Sequence, residues 1–298
     1  MNNLKTEAVK LIVVIILLIA NIQVFAITGT YLPVPTENLV KHTYYTLSYN
    51  EKNEEANWVY YTLTDVMVLN GGAERSNNFK VDVLVPTGSA KSSDYAKSGY
   101  DRGHLCPAGD MGFNPTAMVE SFFMSNISPQ TPDFNRGIWK ELETAVRGWA
   151  RKEHKIEVVA GPVFKDNKGT IGKGGVLVPG YFFKIIFDAS DEPRIIAFLF
   201  PNEKSDRPIK DFSVTIDEVE KLTGYDFFSQ LPDNIENQLE GNIELAGWFQ
   251  GYTADKPQVS RDKLQEHAAD SDLKFYLTMI LVILLVALFV YFKNRKRS

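Results

Sequence analysis

Asp101-Arg102-Gly103-His104 is the stretch that decides how this chain is read, because it sets a potential general base beside a guanidinium and a carboxylate around a glycine. The glycine reads as a tight turn, since it alone adopts strained backbone at no steric cost. Downstream comes the amide-rich segment Ser125-Asn126-Ile127-Ser128-Pro129-Gln130, and then Asn135. Beyond it Ile138, Trp139, Leu142, Ala145, Val146 and Trp149 recur at steps of three and four. Lys140, Glu141, Thr144 and Arg147 fall outside that stripe, so the spacing predicts an amphipathic helix starting near Asp133. Glu143 lies at the flank of the apolar stripe and could face a neighbouring element or a cleft.

Further outward, Trp58-Val59-Tyr60-Tyr61-Thr62-Leu63 and Val81-Asp82-Val83-Leu84-Val85 have β-rich composition. Ile156 to Ala160, Tyr181 to Phe187 and Ile195 to Phe200 are stronger strand candidates and should form the central sheet. A second helix is expected from Thr215 to Leu222, stopped at Thr223-Gly224 where glycine supplies the left-handed cap. Residues 27–57 are polar and turn-rich and read as a lead-in to a domain over 58–235. Residues 236–274 read as a tether.

Both ends point to a membrane. Residues 1–26 form a signal peptide or an anchor, with an apolar run from Leu11 to Ala26 that is short for a span. Residues 275–292 carry no charge and are followed by Lys293, Arg295, Lys296 and Arg297 in the 293–298 tail, the pattern of a transmembrane helix with a basic cytoplasmic stop. The expected arrangement is a membrane-anchored protein with its large domain on the extracytoplasmic side. The formal net charge of −5 includes one positive charge from residues 1–26 and five from residues 273–298, so the body between them carries −11. Such a body is a poor fit to a protein that coats nucleic acid electrostatically, and a polyanion must be held by local cations. Cys106 is the single cysteine, which excludes an internal disulfide and a cysteine-rich zinc site. With no pair of histidines at ligand spacing, a metal here would be a hard cation held by oxygen and water.

Phosphodiester hydrolysis needs an activated water, a cation on the departing oxygen, cations on the phosphate and a rigid frame. His104 can take a proton from water near neutral pH, where an unperturbed imidazole titrates. Asp101 can orient its own segment by accepting hydrogen bonds. Asn135 can bind Mg2+ through a neutral amide oxygen while water fills the other positions, although asparagine at a helix start is also a common cap. On an ideal helix Glu143 lies about 12 Å beyond Asn135, too far to share one ion directly but within reach of water held by it.

These residues resemble a known signature. Asp101 to His104, Ser125 to Gln130, and Asn135 through Trp139 to Glu143 are similar to the motifs of the DNA/RNA non-specific endonucleases, the ββα-metal nucleases. Val159-Ala160-Gly161-Pro162-Val163-Phe164, Pro179-Gly180-Tyr181-Phe182-Phe183-Lys184, Phe200-Pro201-Asn202 and Leu222 to Phe228 extend the likeness in order, over about Trp58 to Pro232. The resemblance implies an α/β (α+β) fold in which a ββα element beside a central antiparallel sheet holds one Mg2+ or Mn2+ ion. It implies His104 as general base, Asn135 as the metal's protein ligand and Glu143 as a partner of the metal's water. Asn126 would position His104 or substrate, Arg102 would contact phosphate and steady the loop, and Arg75 would stabilise the pentacovalent phosphate. DNA and RNA would be the substrates, cut to leave 5′ phosphates. Two other readings stay open on the residues: a membrane-anchored nucleic-acid-binding or uptake protein without turnover, and a phosphodiesterase for another extracellular phosphoester.

Overall fold

The sheet at the centre is built where the sequence alternates or runs apolar. The computed structural model describes residues 30–250, apart from 36, 37 and 191. The signal segment, most of the tether, the 275–292 span and the basic tail therefore lie outside the described residues. Strands β1 (Leu39–Lys41), β2 (Thr46–Asn50), β3 (Glu55–Thr64), β6 (Lys155–Val163), β9 (Tyr181–Asp188), β10 (Arg194–Pro201) and β11 (Ser213–Val214) form one sheet in the order β1-β2-β3-β6-β9-β10-β11. Every pairing in it is antiparallel. The strands expected at 58–63, 156–160, 181–187 and 195–200 are its middle. Among the described residues no helix is long and apolar enough to cross a membrane.

Both faces of the sheet are covered, which is why β6 and β9 are almost continuously apolar. On one face Phe182, Ile186, Phe198 and Phe200 pack against Trp139, Leu142, Ala145, Val146 and Trp149 of the expected helix, here α3 (Lys140–Glu153). On the other, Trp58, Phe183, Phe187 and Ile195 pack against Ile216 and Val219 of α4 (Ile216–Thr223). Thr215 caps α4 by accepting from the Glu218 N–H, and Gly224 ends it at φ 75°, as expected.

A separate hairpin, β4 (Asp101–His104) paired with β5 (Ile127–Gln130), stands before α3 and gives the ββα order. A helical turn, Pro132–Phe134, and a π-helical turn, Asn135–Trp139, lead from β5 into α3.

Several expectations are corrected. Asp101 to His104 is not a tight turn but a strand: a Cβ at Gly103 would lie 2.1 Å from Gln130 Oε1, so the glycine is there for room rather than for an unusual φ. Residues 27–57 are not a loose lead-in where they are described. Tyr45, Leu47 and Tyr49 alternate into the core through β2, and Tyr31 packs on the opposite face. Val81 to Val85 is no strand; it lies among turns beside Pro86 and Gly88, with Val83 82% exposed. The start of the tether is folded too, as α5 (Asp233–Glu240) and α6 (Ala246–Phe249), and Trp248 is fully buried against Trp149. The helix is also not ideal at its start, because Gly137 leaves helical geometry at φ −99°, ψ −115°. Asn135 thus sits on a π-turn rather than on a straight run with Glu143, and it caps nothing with its side chain.

Candidate active site

Strand β4 is gripped from the helix at both ends. At its start Asp101 Oδ2 accepts from Asn135 Nδ2 at 2.9 Å and from Arg136 Nε at 2.8 Å, while Arg136 Nη2 donates to Oδ1 at 2.6 Å. Burial pushes the Asp101 carboxyl up, but the bonds from Arg136 and Asn135 outweigh it and leave its pKa below the usual range. At its end the His104 carbonyl accepts from Trp139 Nε1 at 3.2 Å. Because a carboxylate only accepts, Asp101 fixes which way the Asn135 amide faces: Nδ2 is committed, and Oδ1 has no hydrogen-bond partner among the described residues.

The segment after His104 is held as firmly. Asn126 is fully buried; its Oδ1 accepts the Cys106 N–H at 2.8 Å and its Nδ2 donates to the carbonyls of Cys106 and Ser121. The amide is thus used up inside the fold and positions the backbone that follows His104. Cys106 is a buried free thiol.

The His104 ring is 7% exposed and packs edge-on to Phe122, with centroids 4.8 Å apart, and against Phe79. Its Nε2 is buried with no hydrogen-bond partner. Burial, reinforced by the Arg75 charge, lowers its pKa to about 3, which corrects the expectation of titration near neutrality. The imidazole is therefore neutral and its lone pair free across the physiological range.

Arg75 lies against the same ring stack as His104. Its guanidinium lies 5.1 Å over the Phe122 ring, the ring that also packs on His104, and its Nε donates to Asn77 Oδ1 at 2.9 Å. Its charge acts on both His104 and Glu143. Glu143 is partly exposed. Burial raises its carboxyl to about 7, opposed by Lys184 and reinforced by Asp110. The Arg102 guanidinium is stacked over Phe79 and Tyr95, and Nη2 donates to the Ser92 carbonyl at 2.7 Å. That geometry steadies the loop, one of the two roles expected of Arg102.

Three residues were not picked out from the sequence as parts of this site. Asp110 is buried and accepts from Tyr61 Oη at 2.8 Å and Arg147 Nη1 at 2.8 Å, beside Glu143. Arg147 is one turn beyond Glu143, a spacing that could have flagged it. Lys184 is fully buried on β9.

A family model described as DNA/RNA non-specific endonuclease matches residues 26–234. The chain belongs to the DNA/RNA non-specific endonuclease family. A nuclease of Nostoc sp. is 35% identical over 227 residues, covering 70% of this chain and 80% of its own. The mitochondrial nuclease of Saccharomyces cerevisiae is 32% identical over 231 residues, covering 70% of each chain. A crystal structure of EndoG in complex with EndoGI matches with a TM-score of 0.62 and 33% identity, over 66% of this chain and 87% of that one. As a member of this family the chain is an enzyme, with a mixed α/β fold and a central antiparallel sheet.

Proposed function

We propose that this enzyme hydrolyses phosphodiester bonds of DNA and RNA with His104 as general base and a hard divalent cation, Mg2+ or Mn2+, held by Asn135. The observation that carries the reading is the Asn135 amide, turned by Asp101 so that one oxygen is left free on the π-turn. One neutral oxygen suits a cation that keeps most of its water. The exposed or partly exposed acidic group Asp217, Glu220 and Glu240 belongs to α4 and α5 on the opposite face of the sheet and is no part of this site.

In this reading His104 accepts the proton of the attacking water, and its neutral form is ready to do so. Arg75 takes the charge growing on the phosphorus-bound oxygens. Glu143 hydrogen-bonds water around the cation, and Asn126, Trp139 and Asp101 hold the frame. The bound cation would neutralise the departing 3′ oxygen, leaving 5′ phosphate products. Contacts to the backbone of the substrate give little sequence preference. We propose further that the domain is membrane-anchored and extracytoplasmic, on the apolar 275–292 segment and its basic flank; protease protection of fractionated membranes tests this.

Incubating the protein with supercoiled DNA and with RNA, with and without EDTA, tests the chemistry. Wild type should nick both only when metal is present. His104→Ala should lose nicking by at least about a hundredfold while keeping the fold. Near-wild-type cleavage by that variant would remove His104 from the role of base.

A further inference from the structure

Strand β9 alternates Phe182, Lys184 and Ile186 toward α3, so a lysine stands where the face is otherwise apolar. Lys184 is 0% exposed. A buried ammonium costs several kcal/mol unless it is compensated, so its surroundings say what it does. Its Nζ lies 3.5 Å from the Leu105 carbonyl oxygen and 4.5 Å from the centre of the Trp139 ring. Trp139 holds the preceding carbonyl, that of His104, and Asn126 holds Cys106 on both sides. Three buried side chains from three elements therefore fix consecutive residues 104–106. Trp139, on whose ring the ammonium packs, is also one helical turn before Glu143.

We propose that Lys184 is a positioning residue for the reaction: it fixes the backbone that presents His104 and supplies the buried charge against which the Glu143 carboxylate is held. The proposal rests on the reading of Glu143 as partner of the metal's water. The charges that face Glu143 are Lys184 from β9, Arg147 from its own helix, and Asp110 and Arg75 from loops; of these, the attraction of Lys184 is the strongest. Burial lowers the Lys184 pKa, while Glu143 and Asp110 act to hold the proton on it. Without Lys184 the carboxyl would keep its proton to higher pH and could not accept from water around a cation.

A double-mutant cycle on the full-length protein tests this, with Lys184→Met, Glu143→Gln and their combination, read by urea unfolding in EDTA. Coupling between the two positions should be present at about pH 8 and shrink by about pH 5, where Glu143 holds its proton. A purely structural lysine would give coupling that ignores pH, and that result overturns the proposal. In nicking assays at fixed Mg2+, Lys184→Met should move the acid limb of kcat/KM up by about one pH unit or more. In the Glu143→Gln background it should not move it; an unmoved limb in the single variant also overturns the proposal. If Lys184→Met does not fold, rescue of folding by Glu143→Gln supports the pairing and failure of rescue sinks it. The unfolding cycle needs no turnover, so it reports on Lys184 even if His104→Ala proves active.

Discussion

Gly103→Ala isolates the physical reason for the glycine in Asp101-Arg102-Gly103-His104. A Cβ built there lies 2.1 Å from Gln130 Oε1, 2.2 Å from Cδ and 2.5 Å from Cγ, so the added methyl overlaps the side chain across the hairpin. Gln130 is fully buried and neither atom of its amide has a partner, so it has no solvent to retreat into. Overpacking of this kind costs about 1–3 kcal/mol. Three overlapping atoms on a buried side chain place this site at about 2 kcal/mol or more. The strain is relieved by shifting β4, which carries His104 one residue on; a displacement of about 1 Å of a catalytic group costs on the order of a hundredfold in rate. Urea unfolding and plasmid nicking should thus fall together in Gly103→Ala. Shortening Gln130 to Ala in the same chain makes room and should recover most of both. A Gly103→Ala protein with wild-type stability and activity, or a double variant no better than the single, would refute the steric account.

Three further outcomes follow from the site and the core. Burial lifts the Glu143 carboxyl from 4.5 to about 7, so the folded chain keeps that proton to higher pH than the unfolded one. The penalty is absent below the unfolded pKa, grows as pH rises toward 7 and is complete above it, about 3 kcal/mol at about 1.4 per unit. Glu143→Gln should gain on wild type by most of that between about pH 5 and about pH 8 in EDTA, and parallel stability curves would contradict it. Asp101→Asn releases the Arg136 fork and the acceptor that orients the Asn135 amide, so half-saturation by Mg2+ should rise about tenfold or more with turnover at saturating metal largely kept; an unchanged titration counts against Asn135. Trp248→Ala should cost about 3–5 kcal/mol, because that fully buried ring packs on Trp149. No loss would mean that residues 246–249 are mere tether.

What was legible in the sequence is what periodicity records. Helix α3 and strands β6, β9 and β10 bury long apolar patterns, and the pattern survives without knowing the partner. Tyr45, Leu47 and Tyr49 carry the same period-two signal in β2, but three residues among polar neighbours and a register shift at Ser48/Tyr49 hid it. Val81 to Val85 showed the opposite failure: composition suited a strand, yet the segment stays in turns beside Pro86 and Gly88. At the site the motifs located His104, Asn135 and Glu143, because their types announce chemistry. The neighbours that set their protonation were not legible. Asp110 lies in the 105–126 connection and Lys184 on a distant strand, so only the fold brings them beside α3. Lys184 was in view as part of a motif, but no local pattern tells a buried lysine from an exposed one.

The acidic body and a phosphate-cleaving site are compatible once the cations are sorted by what already holds them. Arg147 is paired with Asp110, Arg136 with Asp101, and Arg102 is spent on a carbonyl and two rings. Arg75, like Arg102, has only neutral partners, here the Asn77 amide and the Phe122 ring that packs on His104, and of these cations it is the one whose charge acts on the imidazole. That charge helps depress the basicity of the imidazole. A phosphate drawn to Arg75 would cancel it, and its negative charge would favour a proton on His104. In the proposed mechanism the base is therefore weak in the free enzyme and strengthens when a phosphodiester arrives, without any broad basic surface to gather nucleic acid. Recognition of phosphate and activation of the base become one electrostatic event, centred on Arg75.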